Sequence, residues 1–104
     1  MAKAKPAYMD MDIHGYIEDG KEVYHEVVLW DNTTYIIELE ADDEDADLDL
    51  YITDEEGTIL YQDEDAESGA AVEFEPGEHA IHLIFVKSAD GDTDYAITIT
   101  EQEE

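Results

Sequence analysis

The chain of 104 residues has no cysteine and no arginine, and it holds only four lysines and two prolines. Without cysteine there are no disulfides, no thiolate metal ligands and no cysteine nucleophile, although the compartment is left undecided. Without arginine, and with lysine only at positions 3, 5, 21 and 87, the chain cannot build a basic face. Nucleic acid and anionic membrane surfaces are therefore excluded as partners. Serine occurs only as Ser68 and Ser88, neither of them in a G-x-S-x-G arrangement, so the nucleophile-elbow signature is missing. No apolar run is long enough to span a bilayer. The opening "MAKAKPAY" lacks the apolar core of an export signal. The expectation is residence outside the cytoplasm, secreted or periplasmic, with any leader lying outside this sequence.

What the sequence does have is carboxylate. Asp and Glu number 31, and the formal net charge is −27. From Asp10 onward, 31 acids face two lysines, a net −29. Two like charges ~10 Å apart repel by roughly 0.4 kcal/mol in water. A net charge of 27 makes roughly 350 pairs, and at about 0.05 kcal/mol each the sum exceeds the ~5–15 kcal/mol stability of a typical domain. The Debye length shrinks from about 8 Å in physiological salt to about 3 Å in molar salt. Such a composition suits a high-salt medium, with hydrated salt cations as its constant partners, and it is similar to that of halophilic proteins. Hydrophobic residues still make up 43% of the chain, enough for a core.

The hydrophobic pattern has period two and no helical period. Strands are expected at 33–40 (Tyr35, Ile37 and Leu39 inward), 47–53 (Leu48, Leu50 and Ile52 inward), 58–62, 70–75 (Val72 and Phe74 inward) and 95–100. "MDIHGYI" and "VYHEVVLW" supply two more near the start, split by "EDGKE". Residues 79–86, "HAIHLIFV", are apolar on both faces and suit a central strand. "DEEG" reads as a hairpin turn with Gly57 at positive φ, "EPGE" as a turn at 75–78, and "SADGDTD" as a turn over 88–94. About eight short strands with turns roughly every ten residues imply one all-β sandwich. The domain is expected over 11–100, with a tail at 1–10 and an acidic tail at 101–104.

The ordered segments "ADLDLYITDEEGTILYQDED", "VEFEPGEHAIHLIF" and "DGDTDYAITI", preceded by "NTTYIIELEAD", resemble the bacterial pre-peptidase C-terminal domain. The likeness covers roughly residues 22–100. It implies an antiparallel, jelly-roll-like β-sandwich. It also implies a non-catalytic accessory module of an exported protein, often a secreted peptidase. Related collagenase modules bind calcium at the edge of the sandwich. One departure is His79, where the family's G-x-Y strand carries Tyr.

Several constellations carry chemistry. Asp45, Asp47 and Asp49, with Asp90, Asp92 and Asp94 from "DGDTD", offer the oxygens that Ca²⁺ requires. The EF-hand spacing and its central glycine are absent, so the plainer reading is solvated acidic turns. Asp63, Asp65 and Glu67 form a weaker version. His79 and His82 fall on opposite faces of a strand and cannot chelate together. Carboxylate pairs are numerous enough that a small hydrolase using one remains a weaker alternative. Most aromatics read as core or sheet packing. Tyr51, on the outward face beside Asp49, is the best exposed candidate for contact with a ligand such as a sugar. The reading is a non-catalytic accessory or binding module, not an enzyme, adapted to high salt. Its alternative is a calcium- or carbohydrate-binding sandwich. The expected partners are domains of the parent protein or an extracellular substrate, and calcium is the one cofactor considered.

Raising NaCl from about 0.1 to about 2 M is expected to raise the melting temperature substantially, because screening removes self-repulsion. A melting curve that does not respond to salt over that range would contradict the high-salt reading.

Overall fold

Alternating side chains can bury one face of a strand only if the opposite face stays wet or meets a partner. The computed structural model, which describes residues 10–31, 33–63 and 69–101, satisfies this with eight strands. They are β1 (Asp10–Ile17), β2 (Glu22–Leu29), β3 (Tyr35–Ala41), β4 (Asp47–Asp54), β5 (Ile59–Asp63), β6 (Gly69–Phe74), β7 (Ala80–Asp90) and β8 (Thr93–Glu101). Two antiparallel sheets form, ordered β1-β8-β3-β6 and β2-β7-β4-β5. The first strand pairs with the last, the second with the seventh, the third with the sixth and the fourth with the fifth. The chain is thus one long hairpin, folded at the β4–β5 turn and rolled into a sandwich, which is the jelly-roll order.

That central turn is locked by its own residues. The Asp54 carboxylate accepts the Glu56 and Thr58 N–H groups at 3.0 and 2.9 Å, and Gly57 takes φ +91°. β7 lies between β2 and β4, as its two-sided apolar sequence requires. It runs past the expected end, to Asp90, and β8 begins at Thr93. The turn expected over 88–94 is therefore a two-residue connection, with Gly91 at φ +97°. His79 precedes β7 instead of lying on it, and its ring stacks on Trp30 with centroids 3.7 Å apart.

The inner faces supply the core. Leu48, Leu50 and Ile52 of β4, Ile84 and Val86 of β7, Ile37 of β3, and Ile97 and Ile99 of β8 are wholly buried. Each such side chain contributes about 1.5–3 kcal/mol of apolar burial. Tyr35 is also fully buried, and its hydroxyl accepts the Trp30 N–H at 2.9 Å, so this aromatic belongs to the core. Gly15 of β1 lies opposite Tyr95 of β8. A Cβ at Gly15 would come within 2.5 Å of the Tyr95 hydroxyl oxygen and 2.6 Å of Cζ. The Tyr95 ring therefore lies across a position that only glycine can occupy.

Gly15→Val is expected to destabilise the fold by roughly 1–3 kcal/mol in urea titrations. In a Tyr95→Ala background the same change is expected to cost at least about 1 kcal/mol less, since the clash is gone. Additive costs would contradict the seating of that ring on Gly15.

Candidate functional site

Three regions hold chemistry-bearing side chains outside the core. The first is the end of the sandwich that gathers the acidic turns. Here carboxylates wind the backbone. Asp43 accepts the Asp45 N–H at 2.9 Å, while the Asp43 and Asp42 N–H groups bond to Thr93 Oγ1 and the Asp94 carbonyl. Asp92 accepts the Asp19 N–H at 2.7 Å, and Asp19 accepts the Gly91 N–H at 2.9 Å. This reciprocal clasp ties the β1–β2 loop to the β7–β8 connection. Asp and Asn favour turns through such local bonds.

The six aspartates singled out from the sequence do not behave as one set. Asp45 is exposed in the β3–β4 loop, Asp92 is held in the clasp, and Asp94 points out from the other sheet. Asp90 faces Asp47 across a bulge, where Asp47 Oδ1 is buried without a hydrogen-bond partner among the described residues. Asp49 was expected to be solvent-facing. It is buried, with 8% exposure, because β4 is an inner strand and Lys87 of β7 lies opposite. Among the described residues, no three His, Asp or Glu side chains converge to hold a metal ion.

The second region is the outer face of β1-β8-β3-β6. Its rows, read from the register, are Asp12–Thr98–Glu38–Ala71 and His14–Ala96–Glu40–Gly69. Small residues make a shallow floor, and carboxylates stand around it. Two open recesses lie there, of about 520 and 530 Å³.

The third region is the outer face of β2-β7-β4-β5, and its chemistry is opposite. One row runs Tyr24–Phe85–Tyr51–Gln62, and the next Glu26–Leu83–Thr53–Ile59. Val28 lies beside Ile81. Tyr24, Val28 and Ile59 are 55%, 46% and 53% exposed, and the Tyr24 and Phe85 rings stand 5.3 Å apart. Tyr51, the best exposed candidate for ligand contact on the sequence, is half-buried in the middle of this row. It lines a recess of about 330 Å³ with Glu22, Thr53, Gly57, Ile59 and Phe85. Period-two alternation could not reveal this face, because β2 and β7 carry apolar residues on both sides. The signal that could have found it was the pairing of two-sided apolar runs in "VYHEVVLW" and "HAIHLIFV".

Between the sheets, at the β1 and β2 edge, His25 Nε2 and the Tyr95 hydroxyl hydrogen bond at 2.6 Å. Burial pushes the His25 pKa below its ordinary value and the Tyr95 pKa above its own.

No protein-family model matches the sequence, and no curated protein matches it. The fold is nevertheless shared. The crystal structure of Aeromonas hydrophila PliG, a periplasmic lysozyme inhibitor of g-type lysozyme, superposes with a TM-score of 0.71 at 6% identity. The match covers 97% of this chain and 93% of that one. At that identity the likeness is one of architecture, and it spans the whole sandwich.

The His25 bridge has a defined pH signature. Below the ordinary histidine pKa of ~6.5, the unfolded chain takes up a proton more readily than the half-buried imidazole, whose pKa burial lowers. Its contribution to stability is thus complete above ~6.5 and is lost as pH falls. The stability difference between wild type and His25→Gln is expected to shrink between about pH 7.5 and about pH 5.5. A difference that stays flat with pH would contradict a half-buried His25 whose pKa lies below the ordinary value.

Proposed function

We propose that the protein is a non-catalytic binding module of an exported protein, adapted to high salt, which docks a protein through the outer face of β2-β7-β4-β5. The observation that carries this reading is the contrast between the two outer faces. In a chain of net charge −27, one sheet turns carboxylates and small residues to solvent. The other turns out Tyr24, Phe85, Leu83, Val28 and Ile59. A contiguous apolar patch on so acidic a surface marks an interaction site. Several carboxylates that could have served catalysis, those of Asp19, Asp43, Asp54 and Asp92, accept backbone N–H groups in turns. The architecture shared with a periplasmic inhibitor supports the exported, binding character, and so does the resemblance to the pre-peptidase C-terminal domain. High salt favours this mode, because apolar contact survives screening while charge attraction fades.

The test is capture of exported proteins by immobilised protein in about 2 M NaCl, where long-range attraction is screened. Binding is expected to be lost in Val28→Asp, while Glu38→Lys on the opposite face leaves it intact. Tyr24 and Val28 are exposed, so changes there are expected to alter stability by no more than about 0.5 kcal/mol. Retention that follows Glu38→Lys, or glycan binding that follows Val28→Asp, would replace the protein-docking reading.

A further inference from the structure

The docking face also carries information about the chemistry of its partner. The uncharged centre spans four strands about 4.8 Å apart and only a few residue steps along each. That is a patch of a few hundred Å², smaller than the ~800 Å² per partner of a stable interface. A protein seated on the patch must therefore cover its rim as well. The rim is acidic. Glu22 and Glu26 stand exposed along β2, and Glu55 and Glu56 stand exposed in the β4–β5 turn. Lys87 is the one cation in the described face. It lies in register between Glu22 and Asp49, with an acidic residue on the strand at either side. Lys21 adds one further cation beside Glu22.

The patch ends at acids on the β2 side but not on the β5 side. There Ile59, Leu60 and Tyr61 are 53%, 46% and 42% exposed and carry no charge. The apolar surface thus continues around the β5 edge, giving a centre wide enough for several anchoring side chains. A second copy of the chain would press one acidic rim against another, and like charges desolvated at contact, which salt screens much less than exposed ones, select against that partner.

We propose that this face is built for a protein whose contact surface has an apolar centre ringed by Lys and Arg. The proposal rests on the docking face described above and adds the charge of the occupant. The apolar centre supplies affinity that survives molar salt. The rim supplies discrimination between cationic and anionic surfaces.

The test is NMR titration of the isotope-labelled protein with three β-hairpin peptides. One has Trp and Leu at its centre ringed by Lys. One keeps the centre and is ringed by Glu. One keeps the Lys ring and has Ser at the centre. The Lys-ringed apolar peptide is expected to shift amides of residues 24, 83 and 85, and to bind at least about tenfold more tightly than the Glu-ringed one in low salt. At about 2 M NaCl it is expected to keep most of its affinity, while the Ser-centred peptide loses binding. Tyr24→Asp and, independently, Val28→Asp are expected to weaken it about tenfold, with dispersed spectra showing that the fold persists. Equal binding of the Lys- and Glu-ringed peptides in low salt would overturn the charge assignment and leave the docking face standing. Shifts confined to Glu38, Glu40 and their neighbours would overturn both. Self-association of the free protein, abolished by Tyr24→Asp, would assign the face to a second copy and overturn the proposal.

Discussion

Mutual repulsion among 31 carboxylates is the constraint on which the rest of the structure depends. Any fold adopted by this chain must keep those groups in water and still bury enough apolar surface to hold together. A two-sheet sandwich does this directly, since period-two alternation sends Leu48, Leu50 and Ile52 inward from one strand and Tyr35, Ile37 and Leu39 inward from another. Burial of these side chains is insensitive to ionic strength in a way that charge pairs are not. With so few lysines, ion pairs could not have carried the fold.

The same constraint explains where individual aspartates lie. A carboxylate that accepts a backbone N–H does structural work while staying at the surface. Asp43, Asp54, Asp19 and Asp92 all do so. Crowding acids before β4 thus produces a tight, self-bonded loop anchored to Thr93 and Asp94. Asp49 departs from this pattern. It is buried on an inner strand, in register with Lys87 of β7.

Local signals in the sequence reached the strands, the order-setting turn at Gly57, and the inward residues of β3, β4 and β6. They did not reach features made by long-range register. Nothing local marks Gly15 as the floor beneath Tyr95, because the contact joins strands eighty residues apart. Likewise, His25 meets Tyr95 only when the sheets stack. Tyr51 was correctly placed on an outer face. Its half-buried state follows from the flanking Phe85 and the strands on both sides, which no window around position 51 contains. The apolar outer face was hidden for a related reason. Its aromatic row takes one residue each from β2, β7 and β4, so it exists only across the sheet.

The two outer faces therefore divide the labour. One meets solvent, with small residues and carboxylates in rows. The other presents aromatic and aliphatic side chains, the kind of exposed apolar patch on which the docking proposal rests. The most direct measurement is photo-crosslinking in producing cells, with a benzophenone side chain placed at Tyr24 in one variant and at Glu38 in another. Crosslinks to a discrete protein from position 24, with none from position 38, are the predicted outcome. Crosslinks from position 38 alone, or a silent position 24 in high salt, would contradict the assignment of the β2-β7-β4-β5 face to a protein partner.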